Sequence, residues 1–289
     1  VETFLLFLTN AIGGSTYPAT AVALTGFNDR DLAFLRMGLC SLLFLPWLWR
    51  GRRRIAALSG RDKARLIAVG LFGYALPLAL GNLGQTLSSS SSAALFIGME
   101  PVTIVLLSGL FLGERLTPLK VLSLAAGLGG ALLIAFQGLP HLGEALHGRL
   151  AGDLILAATG ACWALYTVLG KPLVGRMDPL EYTAATTLVC FLGVAAWAAP
   201  GLSPSAWRAA SAASWWSLAY LTVAGSFLGA WIWNAVLRDC DASKQANFIF
   251  FQPLVGVAIG AGVLGDPFTR WSALGGALVM AGMWIATHA

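Results

Sequence analysis

Charge is scarce in this sequence. Asp, Glu, Lys and Arg make up 11% of the 289 residues, against about 25% in an ordinary globular domain. A chain so poor in charge cannot clothe a soluble globule. Its hydrophobic share of 57% and mean hydropathy of +0.76 point to lipid as the solvent. Metal-binding and nucleophilic chemistry are thinly represented as well. Cys40, Cys162, Cys190 and Cys240 show no metal-ligand spacing and read as small apolar fillers, with no disulfide framework. His141, His147 and His288 fall in a loop or at the C-terminus, out of reach of the membrane centre. No His-Glu-x-x-His run, Gly-x-Ser-x-Gly elbow or aspartate pair at a helix centre occurs. Nothing here calls for an enzyme, a cofactor or a metal site. Nor does a basic region precede the first apolar run, so Ala19-Thr20-Ala21 reads as part of a span rather than a signal-peptide cleavage site.

What is present is apolar length. A membrane helix needs about 20 mostly apolar residues. Ten such stretches can be laid out, near 3–24, 32–49, 66–86, 92–111, 117–137, 152–170, 180–199, 215–237, 243–264 and 270–287. They predict an all-α polytopic membrane protein. With the N-terminus in the cytoplasm, thirteen Lys and Arg fall in inner loops and four in outer loops. This positive-inside bias places both termini in the cytoplasm. Seven of the 18 basic residues lie between Arg50 and Arg65. Flanked by spans, that loop is a topology signal or a contact with anionic lipid rather than a nucleic-acid site. Trp47, Trp49, Trp197, Trp207, Trp215 and Trp216 flank helix ends and read as an interfacial belt.

The sequence also repeats itself. Shifted by 152 residues, the segment 91–130 meets 243–282 without a gap and with twelve identities, Phe96/Phe248, Pro101/Pro253, Gly113/Gly265 and Gly130/Gly282 among them. Five spans per half mean that the second copy enters the bilayer upside down. The serine run Ser88 to Ser92 suits the outside, and its counterpart around Arg238 the inside. The division falls at 1–138 and 139–289. Inverted halves with interrupted helices at matching places point to a transporter site at mid-depth. Pro77 and Gly229 correspond under the shift, as do Pro101 and Pro253, and these four mark expected hinges or helix breaks.

Glu100, beside Pro101, sits at the centre of the fourth stretch; its repeat mate is Gln252. An ionisable group there costs about 2.5–3.5 kcal/mol, so it faces a cavity, a partner or a proton path. It is either a proton-sensitive or amine-binding group, or a hydrogen-bonder for backbone freed by the proline. Asn10 and Tyr17 share a face of the first stretch, with Gly14 leaving room between them; Trp163 and Tyr166 share a face of the sixth. Tyr74, Phe96, Met99 and Trp231 complete a set of aromatic and polarisable candidates, which line a cavity or pack between helices. Asn82 and Asn234 correspond under the shift and serve bonds between helices or substrate contact. No Lys or Arg lies near a helix centre, although Arg36 lies a turn or so inside the second stretch. Sugar phosphates would want fixed cations. A zwitterion or weak cation with an apolar side chain fits better.

The pattern resembles the drug/metabolite transporter superfamily and its EamA-type ten-helix exporters. The motifs are Leu112-Gly113-Glu114-Arg115-Leu116-Thr117 before the glycine-rich helix Leu124 to Ile134, and Leu264-Gly265-Asp266-Pro267-Phe268-Thr269, with Asp266 in place of the usual Glu. Phe34-Leu35-Arg36, and Gly152-Asp153-Leu154 running into Trp163-Ala164-Leu165-Tyr166, are similar to the family's second helix and the opening of its second half. Within the superfamily the chain is most similar to the YddG-type aromatic amino acid exporters of bacteria. The resemblance implies export of aromatic or neutral amino acids by alternating access. A multidrug or organic-cation exporter of the same fold is the alternative, and a channel or receptor stands further off.

Overall fold

The computed structural model describes residues 1–87, 90–136, 150–259, 261–262 and 269–288. Side chains at 82, 84–87, 90–98, 136, 150, 151 and 153 are outside that description. The histidines His141 and His147, Ser88, Ser89 and the stretch Leu264 to Phe268 with Asp266 lie outside the described residues. So do the side chains of Phe96, Asn82 and Asp153.

The described backbone is helical in each of the ten predicted stretches, and the protein is an all-α polytopic membrane protein. Gly60–Gly81, Pro118–Ala135, Leu154–Val174, Pro179–Gly201 and Ala212–Asp239 are each long and apolar enough to cross a membrane. The second stretch departs from expectation. Its helix Asp29–Leu43 ends early, and the chain bends by 72° into a separate helix, Leu45–Ala56. Pro46 sits in the first turn of that new helix, where a missing N–H is harmless. The exposed arginines Arg50, Arg52 and Arg53 thereby leave the bundle axis altogether.

Among the described residues the third and eighth stretches carry matching π-helical turns, Val69–Ala75 and Leu221–Gly229. The shift of 152 carries the first segment onto the start of the second. Pro77 and Gly229 lie at the ends of these turns: the proline removes a donor from the ladder, and the wider π turn absorbs the defect without breaking the helix. The matched prolines behave differently from each other. Pro101 lies within a continuous helix, Ser90–Leu112, whereas Pro253 follows a 3₁₀ turn, Phe248–Phe250. Gln252-Pro253 therefore opens a new helical segment, Phe251–Ile259.

Contacts between helices obey the repeat. The fourth stretch packs on the sixth, and the ninth on the first; the third packs on the sixth, and the eighth on the first. The second and seventh pack together, as do the fifth and tenth. Each relation maps onto its partner, or onto itself, when the halves are exchanged, as a two-fold axis between inverted copies requires. Small residues allow the closest approach. A Cβ on Gly130 would lie 2.5 Å from the Gly275 carbonyl oxygen, and one on Gly282 2.8 Å from that of Ser123. These two contacts are the same contact under the shift.

Polar residues sort to opposite ends of the bundle. At one end Arg54 pairs with Glu181 (2.6 Å), Lys120 with Asp241 (3.1 Å), Arg176 with Asp62 (3.5 Å) and Lys244 with Glu2 (3.1 Å). All these residues come from loops or helix ends assigned to the inner side by charge. Gly113, in the left-handed region at φ 69°, ends the fourth helix, a conformation that favours glycine. The turn carries Glu114 back so that its carboxylate accepts the N–H groups of Ala242 (2.8 Å) and Ser243 (3.0 Å), with Lys171 at 3.9 Å. At the other end the Ser203 N–H donates to Asp31 (3.0 Å), and Arg30 lies 5.4 Å from the Trp197 ring. Trp49, Trp215 and Trp216 are exposed, as belt residues would be. Trp47 and Trp207 instead turn inward, against Phe227 and Phe34 respectively.

Candidate functional site

The first, second, third, fourth, sixth, eighth and ninth helical stretches enclose a cavity of about 440 Å³. It extends from Glu100 and Gln252 toward Leu24 and Leu32, away from the end that carries the ion pairs. Its size lies within the roughly 300–1,000 Å³ typical of small-molecule sites.

Close backbone packing holds its first wall. A Cβ on Gly14 would lie 2.6 Å from the Gln252 carbonyl oxygen, so the first and ninth helices touch along their backbones. Gln252 then reaches across: its Nε2 donates to Asn10 Oδ1 (3.0 Å), while the Tyr17 hydroxyl lies 3.5 Å from its Oε1. Asn10 in turn donates to the Leu6 carbonyl (2.9 Å). The amide pair is thus oriented by the scaffold, with Tyr17 leaning on it at the limit of hydrogen-bond distance.

The opposite wall is aromatic. Gly73 lies against the backbone of Tyr166, where a Cβ would approach within 2.8 Å of Cα. This brings Tyr74 to 5.4 Å from Trp163 and 5.3 Å from Tyr166, ring centre to ring centre. Asn234 fixes the tyrosine by donating to its hydroxyl (2.7 Å) and to Thr183 Oγ1 (3.0 Å). Of the two expected roles for the paired asparagines, Asn234 serves the one between helices.

Asn10, Tyr17, Tyr74, Glu100, Trp163, Tyr166 and Gln252 all line this cavity, as do Pro77 and Gly229. Met99 and Trp231 do not. Met99 is exposed on the outer face of its helix, and Trp231 packs among Leu6, Val236 and Phe248. Trp233 lines the cavity instead. A π turn adds a residue to the helical circuit and rotates everything after it by about 100°; Gly225, Gly229 and Trp233 share the resulting face. Pro101 is buried and Pro253 half-buried, and neither contributes to the lining.

Arg36, which the sequence puts a turn or so inside the second stretch and outside the expected lining, lines the cavity. The bend at the foot of the second stretch makes that helix short, which puts a residue two turns from its start inside the site. The Arg36 Nε donates to Ser226 Oγ at 2.7 Å, and Gly225 leaves space for the guanidinium, since a Cβ there would lie 3.3 Å from Nη2. Arg36 and Glu100 are the charged residues among those lining the cavity. Among the described residues neither makes an ion pair.

The model of the EamA-like transporter family matches residues 2–136 and again 150–287. The chain belongs to the EamA-like transporter family. Relatives include an uncharacterized transporter of Archaeoglobus fulgidus, 25% identical over 98% of both chains. A probable terminal-alkyne amino-acid exporter of Streptantibioticus cattleyicolor is 28% identical over 97% of this chain and 91% of that one. A solved crystal structure superposes with a TM-score of 0.80, covering 99% of this chain and 96% of that chain at 19% identity, which establishes a shared fold. As an EamA-type transporter, the protein is expected to carry a small molecule, and the cavity is the place in the bundle suited to hold one.

Proposed function

We propose that this EamA-type protein exports small amphipathic metabolites, aromatic or neutral amino acids foremost, by alternating access at the cavity. The halves 1–138 and 139–289 rock in opposite senses about it, with both termini in the cytoplasm of a bacterium and the bundle in its inner membrane. The observation that carries the reading is the composition of the cavity, whose lining comes from both sequence repeats. An aromatic wall of Tyr74, Trp163 and Tyr166 faces an amide pair, Asn10 and Gln252, with one basic and one acidic side chain in the same lining. Apolar surface takes a side chain, while amides and charges take polar ends. The ion-paired end is the cytoplasmic one, so this conformation faces outward. The amino-acid exporter among the relatives lends the substrate class further support.

Counterflow in proteoliposomes tests the proposal. Vesicles loaded with unlabelled amino acid take up the labelled form above equilibrium through a carrier, whereas a channel gives none. A cavity lined by both the Glu100 carboxyl and aromatic rings also favours an organic cation. Uptake restricted to amines would establish that second reading.

A further inference from the structure

Arg36 and Glu100, two ionisable side chains with no ion-pair partner among the described residues, line one cavity and call for an explanation. An ionised side chain within a span is stable only when it meets a partner, water or a ligand. Arg36 has one partner among the described residues, Ser226, and that bond occupies Nε alone. The two Nη groups, which form the outer edge of the guanidinium fork, remain for the cavity. A planar pair of parallel N–H donors matches the two oxygens of a carboxylate, and a single ammonium such as lysine cannot reproduce it. Gly225 sharpens the arrangement, because any side chain there would crowd Nη2.

Glu100 offers the complement. Among the described residues it makes no hydrogen bond or ion pair, although it lines the same space and lies within electrostatic reach of Tyr17. Arg36 stands instead by Gly225, whose position also abuts Thr16. Neighbouring residues of the first helix, Thr16 and Tyr17, therefore mark the two poles: the cation lies on the Thr16 side and the carboxyl on the Tyr17 side. The site thus sets a basic and an acidic side chain at separate poles.

We propose that Arg36 anchors the carboxylate of the transported molecule and Glu100 accepts its ammonium, so that the cavity selects α-amino acids by head group. This assignment rests on the export reading above and names how that site would recognise its substrate. The selection acts through what is left unpaired. A zwitterion supplies a counter-ion to both residues at once. An amine leaves the guanidinium without an acceptor, and a carboxylic acid leaves Glu100 without a donor; each omission is penalised heavily in a desolvated site. The aromatic wall accepts many apolar side chains, so the head group sets the class and the side chain only grades it. A phosphate dianion would find one cation and a repelling carboxyl, which keeps phosphorylated sugars out despite Arg36.

Competition against labelled counterflow in proteoliposomes tests this with molecules that share one side chain. The set is phenylalanine, phenethylamine and 3-phenylpropionate, with leucine, 3-methylbutylamine and 4-methylpentanoate as a second set. Wild type is expected to be inhibited by each amino acid at concentrations roughly tenfold or more below its single-charge analogues. Arg36→Gln is expected to lose affinity for the amino acids by roughly tenfold or more while retaining phenethylamine binding. Glu100→Gln should lose the amino acids but admit the carboxylic acids. Arg36→Lys, which keeps the charge without the fork, should fall between wild type and Arg36→Gln, and its thermal unfolding in detergent checks that the fold survives. Equal inhibition of wild type by amino acid and amine would overturn the assignment, as would Arg36→Gln and Glu100→Gln weakening all three molecules alike. If no solute shows counterflow at all, the export reading falls first; if solutes are carried without regard to head group, only this proposal falls.

Discussion

Gly130 and Gly275 meet so closely that a Cβ on either would lie within 2.6 Å of the other's carbonyl oxygen. The contact joins the fifth helix to the tenth, which are corresponding helices of the two halves. Its image under the 152-residue shift is the approach of Gly282 to Ser123. No side chain can enter such a gap without separating two backbones. Gly130→Val and Gly282→Val should therefore each destabilise the protein by about 1–3 kcal/mol, the usual range for overpacking. Gly256, which has nothing within 4 Å of a built Cβ, serves as the control, and Gly256→Ala should leave the melting temperature in detergent unchanged.

Glu114 closes the ion-paired end through backbone rather than side-chain partners. Its carboxylate accepts two N–H groups at the start of the ninth helical stretch, where the exposed donors of a helix favour an anion. Lys171 flanks the carboxylate and also donates to the Cys240 carbonyl. Removing the carboxylate should loosen this end and expose Cys240, which is buried in the closed form. With Cys40, Cys162 and Cys190 replaced by alanine, Glu114→Ala is expected to speed maleimide labelling of Cys240 several-fold over the same background. An unchanged rate would mean that the ion pairs hold this end without Glu114.

The scaffold was legible in the sequence because it is written twice. Apolar length gave the helical stretches, and the shift paired the distortions near Pro77 and Gly229. The site was less legible because its lining falls where the halves diverge. Arg36 corresponds to Leu188, Trp163 to Ala11, Tyr166 to Gly14 and Trp233 to Gly81. A comparison of repeats finds what both copies need for packing and passes over what only one copy needs for binding. Trp231, expected from the sequence as a candidate, gives way to Trp233 in the lining, and a π turn leaves no strong mark in the residues that form it. Pro46 was the available sign that the second stretch ends early, because proline is common in the first turn of a helix.

That early end gives the arginine-rich helix Leu45–Ala56 a membrane-surface setting. Arg50, Arg52 and Arg53 are exposed, and the Arg52 guanidinium lies 4.4 Å from the Trp49 ring. Tryptophan at headgroup depth with basic neighbours suits an anionic leaflet, each basic residue contributing about 1 kcal/mol near such a surface. Replacing these three arginines with glutamine should abolish any gain in transport on moving from neutral vesicles to vesicles rich in anionic lipid. Activity in neutral vesicles should stay at the wild-type level. Arg54 is left in place because its ion pair with the buried Glu181 anchors this helix to the seventh.

The two tryptophans of the eighth helix separate packing from binding. Trp231 packs in a cluster with Leu6, Phe248 and Met283, whereas Trp233 lines the cavity near Gly229 and Ile249 while also packing against two other core clusters. Trp231→Ala removes packing volume, and a loss of about 3–5 kcal/mol is typical of such a truncation when it is fully buried. Its half-buried position places the expected loss toward or below the lower limit. It should lower the melting temperature while leaving the half-saturating substrate concentration in counterflow unchanged. Trp233→Phe keeps an aromatic ring but withdraws part of the cavity wall. It should raise the half-saturating concentration several-fold, with a smaller fall in melting temperature than Trp231→Ala causes. The opposite pattern would return the binding face to the phase of an undistorted helix and would remove the π turn's role in aiming Trp233 at the site.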